Sequence, residues 1–148
     1  RAGRFDVDGS VWAEAVYPDH YIWKYLENND YRGFITEELA WRERLGLPPF
    51  TKMTVVKISA KNEQAANSAS ETIYKHLAGS LSSLKDINFT VLPPVEPPLS
   101  RINSRFRKNI TLISPKSSSA SRTLSRLLST CPVEKGVTVT FDIDPVNE

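Results

Sequence analysis

A chain of 148 residues, 40% hydrophobic and 24% charged, is long enough to bury a core without disulfide or metal staples. No apolar run reaches the length of a membrane span, and no basic tip followed by an apolar stretch marks a secretory leader. The single cysteine, Cys131, excludes an internal disulfide and a thiolate zinc cluster, so a reducing compartment such as the cytoplasm is the expected setting.

The chain begins with Arg1 rather than methionine and reads as a piece of a longer protein. Its net charge of +2 carries no argument, but the charge is unevenly spread. Residues 1–50 hold nine acidic and six basic side chains. Between Glu96 and Glu134 there is no acid, while Arg101, Arg105, Arg107, Lys108, Lys116, Arg122 and Arg126 all fall there. Uncompensated cations release counterions from polyanions, so this stretch points towards a polyanion-binding face.

In chain order, Val11–Tyr17 fits a short strand that Pro18 ends. Asp19 can cap a helix to about Asn28, with Ile22, Tyr25 and Leu26 on one face. A second helix is predicted from Tyr31 to Leu45, where Glu38 and Arg42 stand one turn apart. Gly46 and the Pro48-Pro49 pair stop it, and a domain boundary is expected near Gly46–Thr51. This gives one unit over 1–50 and another over 51–148.

The second unit reads strand, helix, strand, strand, helix, strand. Thr54–Ala60 alternates, with Val56, Ile58 and Ala60 on one side. Asn62 can cap a helix to about Leu81, whose stripe is Ala66, Ala69, Ile73 and Leu77. Asn88–Leu92 is a short strand that runs into Pro93-Pro94 and Pro97-Pro98. Lys108–Ser114 alternates again, with Ile110 and Leu112 inward. The serines at 117–119 offer caps for a helix to about Thr130 that buries Leu124, Leu127 and Leu128. In the last strand Val137, Val139, Phe141 and Ile143 face one way. The fold class is therefore α+β, a split βαβ arrangement with a four-stranded antiparallel sheet and two helices on one face. That fold serves binding modules, enzymes and regulators alike, so function rests on particular residues.

The stretch Arg101-Ile-Asn-Ser-Arg-Phe-Arg-Lys-Asn109 is the most informative. Guanidinium groups grip phosphate or carboxylate through paired hydrogen bonds, and an adjacent aromatic can stack on an unpaired base. A basic sheet edge that resists aggregation would show the same residues. Arg122 and Arg126 lie one turn apart, opposite the leucine stripe of their helix, and matter for binding only if the fold brings them beside Arg105 and Arg107. Arg1 and Arg4 bracket a glycine, but no phosphate-cradling loop with its lysine accompanies them. Asp142 and Asp144 share one strand face without a third ligand nearby. His20 and His76 are isolated, and Cys131 has no local base.

Several of these segments, in order, resemble the primosomal protein N′ (PriA) family of replication-restart helicases. Arg1-Ala-Gly-Arg4 looks like the tail of a last helicase motif. Asp30-Tyr-Arg-Gly-Phe34, Glu38-Leu39, Arg42 and Pro48-Pro-Phe50 resemble the exit from the second helicase lobe. Val91-Leu-Pro-Pro-Val-Glu-Pro-Pro98, Arg105-Phe-Arg107 and Asp142-Ile-Asp-Pro145 resemble the C-terminal domain signature. The resemblance implies a bacterial, cytoplasmic parent, an ATP-dependent 3′-5′ DNA helicase that uses ATP, magnesium and zinc. This chain would hold none of those cofactors and would not hydrolyse ATP alone.

Residues 1–50 would be the end of the helicase lobe, and 51–148 a module binding DNA. The partners implied are stalled forks, single strands, the acidic tail of single-stranded DNA-binding protein and other primosome proteins, with no membrane. The binding set would be Arg101, Arg105, Phe106, Arg107, Lys108, Asn109, Arg122 and Arg126, with Arg1 and Arg4 as a partial ATP-phosphate motif. The family's glutamine of the tail pocket falls on Asn109, while Phe106 replaces a usual tyrosine and Lys108 a usual aromatic. The rival reading is a protein-interaction module of the same fold that does not touch DNA.

Overall fold

The computed structural model describes residues 9–84 and 87–145, so Arg1 and Arg4 lie outside the described residues. The chain divides into two compact units, residues 1–40 and 41–148.

In the first unit, residues 11–17 are not a strand. Among the described residues no strand pairs with them, and Val11, Trp12 and Val16 are exposed. Composition alone cannot make a strand without a partner for its ladder. The segment is instead tied down at its end, where the Trp23 indole donates to Tyr17 O at 2.9 Å.

Helix α1, Ile22–Glu27, starts later than expected, after Tyr21, and has no side-chain cap. His20, not Asp19, serves its first turn, because Ile22 N donates to His20 Nδ1 at 3.3 Å. Helix α2, Tyr31–Arg44, follows a tight turn through Asn29 in the left-handed region. Asp30 Oδ1 accepts from Gly33 N at 2.8 Å, satisfying a donor in the first turn. Phe34 lies against Tyr21 at a centroid distance of 6.2 Å and against Tyr25 at 6.3 Å. The hydroxyls of Tyr21 and Tyr25 donate to Glu38 and Glu37.

The second unit is the expected α+β fold. Strand β1, Thr51–Ala60, leads to helix α3, Glu63–Ser82. Then come β2, Thr90–Val91, β3, Arg101–Ile102, and β4, Arg105–Pro115. Helix α4, Ser118–Ser129, and β5, Val137–Ile143, complete it. The antiparallel sheet runs β2-β4-β1-β5, with β3 also on β4. Apart from the added β3, this is the order of a split βαβ sheet.

Asn62 caps α3 by accepting from Gln64 N at 2.8 Å, and Ser117 caps α4 by accepting from Ala120 N at 3.1 Å. Both helices pack on one sheet face. Val56, Ile58, Ile110 and Leu112 meet Ala69, Ile73, Leu77 and Leu81 of α3 and Leu124 and Leu128 of α4. Leu127 is only partly buried.

The segment between β2 and β4 departs from a plain proline turn. Leu92 N donates to Thr111 O, Val95 exchanges two bonds with Asn109, and Arg107 N donates to Ser100 O. Residues 90–102 thus follow β4 as an interrupted edge. Val95 and Leu92 supply the amides, and the prolines between them have none to supply.

Replacing Ile58 or Ile110 with alanine empties a fully buried site and is expected to cost about 2–5 kcal/mol in a denaturant titration of the chain. Gly33→Ala should loosen the α1–α2 turn, because a Cβ there would lie 2.7 Å from Tyr25 Cε1 and closer still to the Asp30 carboxylate. The measurement is loss of helical circular dichroism with Gly79→Ala as control, since a Cβ at Gly79 meets nothing within 4 Å.

Candidate nucleic-acid and partner interface

Strand geometry decides where the basic residues go. In register, Ala60 faces Phe106, Ser59 faces Arg107, Ile58 faces Lys108 and Lys57 faces Asn109. Side chains opposite one another share a face, so Phe106 and Lys108 take the helix side. Arg105, Arg107, Asn109 and Lys57 take the far side.

Arg105 is a clasp across three strands. Its Nε donates to Ser59 Oγ at 3.1 Å, and Nη2 donates to Ser59 O at 2.7 Å and Thr138 Oγ1 at 3.0 Å. Arg107 is held more lightly, with Nη1 donating to Leu99 O at 3.2 Å. Arg101 pairs with Phe106 in the β3–β4 hairpin, and its guanidinium lies 5.0 Å from the ring centroid. Asn103 and Ser104 make the turn, both in the left-handed region. Lys108 is neutralised by Glu96 at 3.0 Å. Lys57 is neutralised by Asp142 at 2.5 Å.

Asn109 is buried, and among the described residues its Oδ1 has no hydrogen-bond partner. Such an atom is costly unless a water or a ligand donor meets it.

Arg122 and Arg126 do not join this group. They lie on α4, beside Ser80, Leu84 and Leu127, on the side of the sheet that carries the helices. The expected single patch is therefore divided. Arg101 and Phe106 occupy the hairpin, Arg105 and Arg107 the far face, and Arg122 and Arg126 the helical layer. The clasp role of Arg105 and the pairing of Lys108 with Glu96 were missed by sequence reasoning. The second had a signal, since Glu96 is the last acid before the gap.

The remaining candidates are occupied elsewhere. Asp144 Oδ1 accepts from Met53 N at 3.0 Å and Asp142 pairs with Lys57, so both carboxylates hold β5 to β1. Among the described residues no group of three His, Cys, Asp or Glu side chains could hold a metal ion, so they do not fit the zinc that the resemblance implies for a parent. Burial pushes the Cys131 thiol up, as its packing against the core requires. Among the described residues no helix is long and apolar enough to cross a membrane.

A family model described as the primosomal protein N C-terminal domain matches residues 43–146. The chain belongs to this family. The replication restart protein PriA of Haemophilus influenzae is 31% identical over 147 residues, covering 98% of this chain and 20% of that protein. That of Rickettsia felis is 28% identical over 145 residues, covering 98% of this chain and 21% of that protein. That of Synechocystis is 27% identical over 147 residues, covering 99% and 17%. The chain spans about a fifth of the length of these curated relatives. The primosomal domain match covers every element from β1 to β5, and so the whole β4 segment.

Arg105→Ala should therefore act on stability more than on binding. Losing the clasp removes the Arg105 donor from Ser59 O and Thr138 Oγ1, and about 0.5–1.5 kcal/mol is expected in urea unfolding. Arg107→Ala should cost far less by the same measurement.

Proposed function

We propose that this chain is the DNA-binding and partner-binding module of a cytoplasmic replication-restart helicase, contacting single-stranded or fork DNA through the β3–β4 segment. The observation that carries this reading is electrostatic. Among the described residues Arg101, Arg105 and Arg107 have carbonyl, hydroxyl or ring partners and no carboxylate partner. Their positive charge is held in place and left uncompensated. Arg107 can turn from Leu99 O to a phosphate, and Arg101 with Phe106 can flank a base. ATP hydrolysis and the zinc and magnesium sites belong, in this reading, to other parts of a parent protein.

A second partner is favoured by Asn109. Its buried Oδ1 seeks a donor, and Arg107 lies two residues away on the same strand face. A peptide could offer a backbone N–H to the first and a carboxylate to the second. The acidic, hydrophobic-ended tail of single-stranded DNA-binding protein has that chemistry, and primosome proteins would assemble around the same module.

The test is titration of the chain with labelled single-stranded DNA across salt. Two phosphate contacts, from Arg101 and Arg107, give a slope of log affinity against log salt of about −1.4. Joint charge reversal at Arg101 and Arg107 should weaken binding by roughly tenfold or more and flatten that slope. A salt-independent affinity, unchanged by the reversal, would remove DNA from the reading. Tight binding of an acidic peptide alone would then support the interaction-module alternative.

A further inference from the structure

The helical layer carries a cationic groove that the far face does not share. Ser80, in the last turn of α3, and Leu84, just after the helix, face Arg122, Thr123, Arg126 and Leu127 of α4 across a cleft of about 450 Å³. Because α4 buries Ala120, Leu124 and Leu128, its arginines are turned out onto the shoulder beside α3. Among the described residues Arg122 uses only Nε, donating to Ser118 O at 3.3 Å. Among the described residues the Arg126 guanidinium has no hydrogen-bond or ion-pair partner, and neither do the hydroxyls of Ser80 and Thr123. No acid occurs in α4, or in α3 after Glu71.

Stability alone does not explain the pair. Arg126 in the last turn complements the helix dipole, but Arg122 stands mid-helix, where a like charge one turn away repels it. His76 lies one turn before Ser80 on α3, and its buried Nε2 has no partner among the described residues. Two guanidiniums and two unused hydroxyls, with no carboxylate among them, are the donor set of a phosphodiester site. Among the described residues the lining includes no aromatic side chain, so its recognition is by charge and hydroxyl donors.

We infer that the α3–α4 groove binds the phosphate backbone of a nucleic-acid segment, at a site separate from the β3–β4 segment. The two sites use different side chains, Arg101, Phe106 and Arg107 in one and Arg122 and Arg126 in the other. This inference does not depend on the far-face reading.

The experiment uses the 148-residue chain with a short labelled duplex, titrated between about 50 and 200 mM salt. Joint Arg122→Glu and Arg126→Glu should lower affinity by roughly tenfold or more and reduce the salt slope by about 1.8, as loss of two duplex contacts requires. The same loss should recur in a background of Arg101→Glu and Arg107→Glu, which separates failure of this site from failure of the other. A milder pair, Arg122→Gln with Arg126→Gln, should give a smaller loss in the same direction with unchanged circular dichroism. Unchanged affinity and slope in both pairs would overturn the inference. So would competition by an acidic peptide that matches competition by unlabelled duplex.

Discussion

The two-residue period of β1 and β4 is the constraint on which the rest of the molecule depends. Ten consecutive register pairs join these strands, and each pair sends its side chains to a common face. Val56, Ile58, Ile110 and Leu112 must meet the helices if the core is to form. Once they do, Arg105, Arg107 and Asn109 have no choice but the opposite face. The same packing turns α4 so that Arg122 and Arg126 emerge on the helical side. Hydrophobic burial, at about 1.5–3 kcal/mol for each large side chain, outweighs any preference of like charges for one location or another. Charge is distributed by the core, not by the ligand.

The cations differ in what holds them. Lys57 and Lys108 each have a carboxylate, and Arg105 is fixed by oxygens from two neighbouring strands. A guanidinium in that position joins β4, β1 and β5 at the end of the sheet where the β3–β4 hairpin begins. No carboxylate offsets its charge, since its partners among the described residues are neutral. Structural anchoring and a positive field are thus compatible in one side chain, as they would not be for a lysine paired to an acid.

How much was legible beforehand follows from which signals are local. The stripe of Ala66, Ala69, Ile73 and Leu77 announces α3 because a buried helix face repeats within the helix itself. The caps Asn62 and Ser117 are equally local. The start of β4 at Arg105 was hidden, because charged residues at a strand end do not alternate in hydropathy although their backbones pair with β1 and β3. Residues 11–17 gave the opposite error, since an apolar, aromatic-rich run fits a strand but among the described residues no strand pairs with it. The separation of Arg122 and Arg126 from Arg105 and Arg107 depends on strand parity relative to the helix layer. That relation exists only once the sheet has been assembled. Asn109 was identified by resemblance, but its unpaired Oδ1 is a property of packing around it and left no trace in the order of residues.

The prolines beside β4 have a consequence for how copies of this fold can meet. Pro93, Pro94, Pro97 and Pro98 interrupt the ladder along one border of the sheet, so another strand cannot extend it there. The opposite border, β5, is continuous from Val137 to Ile143, and it ends with Phe141 at 40% and Ile143 at 62% exposure. Any templated growth of this sheet, whether useful docking or unwanted clumping at high concentration, is thereby confined to a single direction.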